Sequence, residues 1–128
     1  MKVKTTVWAT FSFVGFHAWP GAPDEVAYLR SEHRHEFRVR VECCTEYRGS
    51  DRVLEFHSLK RYALERFADA LKPDELGEYH LGAMSCEDIA VKILRLATHA
   101  SAVEVSEDGE NGARVVRQHP PNDTWCEA

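Results

Sequence analysis

The sequence predicts an α+β domain, one antiparallel sheet with two helices packed on one of its faces. Three observations carry this. Two long stretches near the start alternate apolar and polar residues with the period of a strand. Two central stretches repeat apolar residues at helical spacing. Two short runs near the end are joined by "DGENGA", a hairpin turn rich in residues that tolerate positive φ. The resulting order is β-β-α-α-β-β, a four-stranded antiparallel sheet with hairpins at both ends.

The first strand is expected over about Lys4 to Val14, with Val7, Ala9, Phe11 and Phe13 on one parity and Thr6, Trp8, Thr10 and Ser12 on the other. Pro20, Gly21 and Pro23 make "WPGAPDE" a loop. The second strand is expected over about His35 to Cys44. Phe37, Val39, Val41 and Cys43 share its apolar parity, and Glu36, Arg38, Arg40 and Glu42 its polar one. "TEYRGSD" turns the chain, and "RVLEF" (Arg52 to Phe56) is a short extended piece that runs into a helix. That helix is marked by Phe56, Leu59, Ala63, Phe67, Ala70 and Leu71. "LKPDELGEYHLGAM" is a connection, broken by Pro73 and Gly77. Ser85 with Asp88 three positions later resembles a capping box, and Ile89, Ala90, Ile93, Leu94 and Ala97 continue the second helix. "SAVEVSE" (Ser101 to Glu107) and "RVVR" are the last two strands. Residues 1–118 form one domain, and 119–128 are a C-terminal tail.

A chain of 128 residues buries roughly two thirds of its unfolded surface, enough for a core without staples. A formal charge of −5 supplies no basic field for nucleic acid. No apolar run approaches the roughly 20 residues of a membrane span. "MKVKTTVWATF" carries Thr through its apolar part and reads as a strand, not a signal peptide, so a cytoplasmic location is expected. Cys43, Cys44, Cys86 and Cys126 contain no C-x-x-C, and reduced, inert thiols are expected.

"SEHRHEFRVRVECC" places His33 and His35 on the apolar parity, just beyond its end. Their backbones lie about 7 Å apart on a strand, so both rings can turn to a common point. A tetrahedral zinc needs at least one more ligand. His17 is the natural third, because it follows the first strand and shares the parity of Phe11 and Phe13. On spacing alone H-x-H is a weak signal, and a pair of polar strand-end histidines is the plainer reading. His57, His80, His99 and His119 are not organised in this way.

Along about Val7 to Val116 the chain resembles the 6-pyruvoyl-tetrahydropterin synthases and their bacterial relatives, the 6-carboxy-tetrahydropterin synthases. "FVGFH" (Phe13 to His17) is similar to the family's F-x-A-A-H, and "HRHEFRVRVE" to H-G-H-x-Y-x-V-x-V. "RVLEFHSLK" resembles G-x-V-x-D-F-x-x-L-K, "MSCEDIAVKI" resembles P-T-x-E-N-I-A-x-x-I, and "VEVSED" resembles V-x-V-x-E-T. The resemblance implies a T-fold whose subunits join their sheets into a barrel, as a trimer or a hexamer, with sites between subunits. It implies zinc held by His17, His33 and His35, and a pterin ring anchored by Glu107. A carboxylate suits that role because it accepts two hydrogen bonds from an amino-pyrimidine edge. Without the resemblance Glu107 is a strand-end acid before a turn.

The departures bear on the chemistry. The family's cysteine, four residues before its H-G-H, is Leu29 here. Its Asp-His pair in the helix connection has no ungapped counterpart; His80 with Glu78 or Asp74 could replace it only if the loop is shifted. Arg34 stands for the Gly of H-G-H, and Glu55 for the Asp of D-F. Glu32 adjoins a ligand and is the other candidate base, although a strand would point it away from His33. The expected function is therefore zinc-dependent, lyase-type chemistry on a pterin resembling dihydroneopterin triphosphate, altered from the family's. The alternative is a zinc- and pterin- or purine-binding protein without turnover. A cupin also uses H-x-H, but two central helices argue against one.

Overall fold

Period-two alternation drives the first two strands together over their whole length. In the computed structural model, which describes residues 3–47, 49 and 54–118, β1 (Lys4–His17) pairs antiparallel with β2 (His33–Glu46), from Lys4↔Glu46 to His17↔His33. Both strands run past the sequence-predicted ends. The last residues of β1 and the first of β2 satisfy each other's backbone groups, so the ladder closes only at the histidines. The loop between them holds 3-10 turns over Asp24–Arg30.

The chain continues through α1 (Phe56–Leu71), β3 (Tyr79–His80), α2 (Cys86–Leu96), β4 (Ala102–Glu107) and β5 (Asn111–Val116). Arg52 and Val53 of the expected extended piece, and the tail 119–128, lie outside the described residues. Glu55 caps α1: its carboxylate accepts from the backbone N–H groups of His57 (3.0 Å) and Ser58 (2.6 Å). The Ser85–Asp88 capping box opens α2, each residue's side chain accepting from the other's backbone N–H at 3.1 Å.

The α+β class holds, with one correction: the sheet has five strands, not four, in the order β3-β1-β2-β4-β5, and it is mixed. β3 lies parallel to β1, with Gly15 opposite Tyr79 and Phe16 opposite His80. Two residues are too few to display alternation, and Pro73 and Gly77 nearby mark the region as a connection. Tertiary contacts make the strand: Tyr79 is buried with its ring 4.9 Å from Phe13 and 5.0 Å from Phe67.

The odd-numbered residues of β1, β2 and β4 and the inner faces of both helices form one core. Phe37, Val41, Phe67, Ile89, Ile93, Val103 and Val105 are fully buried. Both helices cover this face. The opposite face carries Trp8, with the Arg40 guanidinium 4.0 Å over its ring, and a buried Glu42 gripped by Arg114 at 2.8 and 3.1 Å. Cys43 and Cys86 are free thiols, Cys43 pushed up to about 11 by burial. Cys44, which points away from the core, is in a disulfide, so the expectation of reduced thiols throughout does not hold. No described helix is long and apolar enough to cross a membrane.

Candidate metal centre

The register of β1 and β2 assembles the site. His17 stands opposite His33, and Gly15 opposite His35, so all three histidines leave the core face at its end. Gly15 leaves that row open: a Cβ there would meet Leu81 at 2.9 Å and the Phe37 ring at 3.0 Å. Phe37 floors the site, 5.2 Å from the His17 ring and 5.8 Å from the His35 ring. The three imidazole centroids are 4.6, 5.0 and 5.4 Å apart. One nitrogen from each ring lies within 4.8 Å of the others.

The outward-facing nitrogens are already used. His17 Nδ1 donates to the Met84 carbonyl at 2.7 Å, His33 Nδ1 to the Ser31 carbonyl at 2.9 Å, and His35 Nδ1 to the Asp108 carboxylate at 2.7 Å. Those partners only accept, so each Nδ1 carries a proton, and in the neutral ring each Nε2 presents a lone pair. His17 is only 6% exposed, and the Nε2 atoms of His17 and His35 are buried without a hydrogen-bond partner. Buried polar atoms left in this way are costly. A divalent cation accepting their lone pairs removes that cost, and three imidazoles form a donor set suited to zinc. The residues fit the metal.

Asp108, which the sequence reading did not single out, sits immediately after Glu107 in the β4–β5 turn, where its φ is 57°. Besides orienting His35 it accepts from the Glu36 N–H at 2.9 Å. The His35 hydrogen bond, then that N–H, hold its carboxyl below the usual carboxylate range. Glu107 comes to the same place: Oε1 is 3.2 Å from His17 Nε2 and Oε2 is 3.5 Å from His35 Nε2.

A cleft of about 320 Å³ opens beside the histidines, lined by His17, Trp19, Leu29, His33, Cys86 and Glu107 among others. Leu29, in the family's cysteine position, faces it. Cys86 is the thiol in the cleft; burial, and then the charge of the nearby Glu107 carboxylate, push it up to about 12. Glu32 is exposed and is not part of the lining. His80 does have an acidic partner, Asp74, at 2.8 Å from its Nε2. Its ring stacks on Phe16 at 5.2 Å, and Phe16 belongs to the parity opposite that of His17, so the pair sits outside this cleft.

No protein-family model and no curated relative matches the sequence. Solved structures do match the shape. The 6-pyruvoyl tetrahydropterin synthase of Caenorhabditis elegans superposes with a TM-score of 0.66 at 13% identity, covering 91% of this chain and 97% of that one. The chain has the fold of the 6-pyruvoyl tetrahydropterin synthases. The Plasmodium vivax 6-pyruvoyl tetrahydropterin synthase superposes at 0.58 and 15% identity, over 93% of this chain and 99% of that one. An uncharacterized protein from Wolinella succinogenes gives 0.68 at 20% identity, over 91% and 99%. On this synthase fold the imidazole cluster lies where β1 ends and β2 begins, and the cleft opens between that end of the sheet and the start of α2.

Proposed function

We propose that this chain holds zinc with His17, His33 and His35 and takes a pterin or a related heterocycle into the adjoining cleft. It acts there as a 6-pyruvoyl-tetrahydropterin synthase homologue with altered lyase-type chemistry. The observation that carries the reading is the convergence of three imidazoles whose outward nitrogens are all engaged, leaving two buried Nε2 atoms unpartnered. Zinc supplies Lewis acidity towards the oxygens of a polyhydroxylated side chain. Glu107 supplies the carboxylate for the amino-pyrimidine edge, and Leu29 and Trp19 exclude water from one wall of the cleft.

Proton transfer then falls to Glu32 or to the Asp74–His80 pair. Both lie outside the cleft of their own chain, so they act only when a neighbouring copy brings them in, as the proposed trimer or hexamer of a cytoplasmic protein does. A second reading, binding without turnover, is favoured by Leu29, which cannot accept a proton. Zinc-loaded protein incubated with dihydroneopterin triphosphate separates the two by pterin fluorescence. Turnover lost in His33→Ala supports the enzyme, and saturable binding without product supports the binding protein. Absence of both overturns the pterin assignment.

A further inference from the structure

We infer that Glu107 is itself a metal ligand in the ligand-free protein, completing a shell of three imidazoles and one carboxylate. The inference rests on the metal site proposed above. It starts from a conflict of charges. With the protons on Nδ1, the Nε2 atoms of His17 and His35 are hydrogen-bond acceptors, and each faces a different oxygen of one carboxylate, at 3.2 and 3.5 Å. Acceptor against acceptor is repulsive unless a proton or a metal cation lies between them.

Hydrogen bonds do not resolve the conflict, because both Nε2 atoms are buried and neither has a hydrogen-bond partner. The distances suit coordination. Two ligand atoms about 2.0–2.1 Å from a tetrahedral zinc are about 3.3–3.4 Å apart, close to the separations from His17 and His35; the set whose ligand atoms all lie within 4.8 Å of one another holds the three histidines without Glu107, so the carboxylate completes the shell by swinging towards His33. His17, more than nine-tenths buried, aims its free nitrogen into the space that Glu107 borders.

A site closed in this way has no open position until a ligand displaces the carboxylate. The displaced Glu107 is then free to meet a heterocycle, so the metal and the ring recognise ligand through the same residue in succession.

Zinc affinity of the full chain, measured by competition with a chromophoric chelator, tests this. Glu107→Gln is expected to weaken binding by at least about tenfold. Glu87→Gln, which removes a charge from the same cleft, is expected to leave it within about threefold. A crystal structure of the zinc-loaded wild type is expected to place a Glu107 oxygen about 2.0–2.2 Å from the ion. Wild-type affinity in Glu107→Gln, or an oxygen beyond about 3 Å, overturns the inference while leaving the zinc site intact. If Glu107→Gln does not fold by circular dichroism, the crystallographic distance decides. A wild type that binds no zinc overturns the inference and the proposed function together.

Discussion

Each histidine of the cluster depends on a different kind of support, and that sets what its loss should do. His33 is half-exposed and leans on the Ser31 carbonyl. His33→Ala should therefore fold normally and bring bound zinc to well below one per chain, measured by elemental analysis of the purified protein. His17 is buried, so its truncation would confound folding with binding. His35 takes its orientation from Asp108 at 2.7 Å, and such partners tune a ligand's basicity and aim. Asp108→Ala should weaken zinc about 10- to 100-fold with the far-ultraviolet circular dichroism unchanged. The triad was legible because parity along a strand fixes a side chain's face, and His33 and His35 share the parity of Phe37. Asp108 was not, because a turn residue at φ 57° obeys no such period. The closeness of Glu107 to His17 was hidden as well: it depends on the register of three strands, which no local pattern encodes.

At the level of elements, the β4–β5 hairpin is what delivers Glu107 and Asp108 to the site. Gly112 allows its two strands to close: a Cβ there would clash with the Val105 carbonyl oxygen and lie 2.7 Å from the Ser106 Cα, both backbone atoms. Gly112→Ala should cost about 1–3 kcal/mol in denaturant unfolding and should lower zinc affinity with it, since the hairpin tip moves. The Glu42–Arg114 pair ties β2 to β5 on the other face. Hydrogen bonds from Arg114, aided by its charge and that of Arg40 and opposed by burial, hold the Glu42 carboxyl below its ordinary 4.5. A lowered carboxyl stabilises the fold above the unfolded-state value, and the benefit is lost as pH falls through the lowered one. Arg114→Met should therefore destabilise by about 1–2 kcal/mol at pH 7, discounted because the guanidinium is half-exposed. The gap to wild type should shrink below about pH 4; a gap constant from pH 7 to 3 would show that packing, not charge, is responsible. The helices and long strands were legible in the sequence through their periods and caps. β3 was not: only the burial of Tyr79 against Phe13 and Phe67 makes it a strand.

For the whole molecule, assembly turns on what meets the outer edges of the sheet. Among the described residues nothing pairs with the far side of β5, and an unpaired edge is a template for another chain. A broad trough of about 1040 Å³ runs along the sheet, lined by Arg38, Glu104 and Arg114 and reached by Lys60 and Leu64 of α1; it would be enclosed if sheets join edge to edge. The proposed trimer or hexamer would run at three or six times the chain mass of 14.6 kDa in light scattering. The register says how to break it. Arg117 donates its N–H inward to the Ser101 carbonyl, so by the alternation of an antiparallel ladder the N–H of Val116 points outward. Val116→Pro removes that outward donor and leaves the bonds to β4 in place, a substitution that edge strands tolerate. It should yield a folded chain of monomeric mass whose zinc content is retained, since all three histidines belong to one subunit, and whose turnover is lost, since Glu32 and His80 would no longer reach a neighbour's cleft. A monomeric variant that keeps full activity would refute the shared site, and a variant still trimeric would show that assembly does not run through this edge.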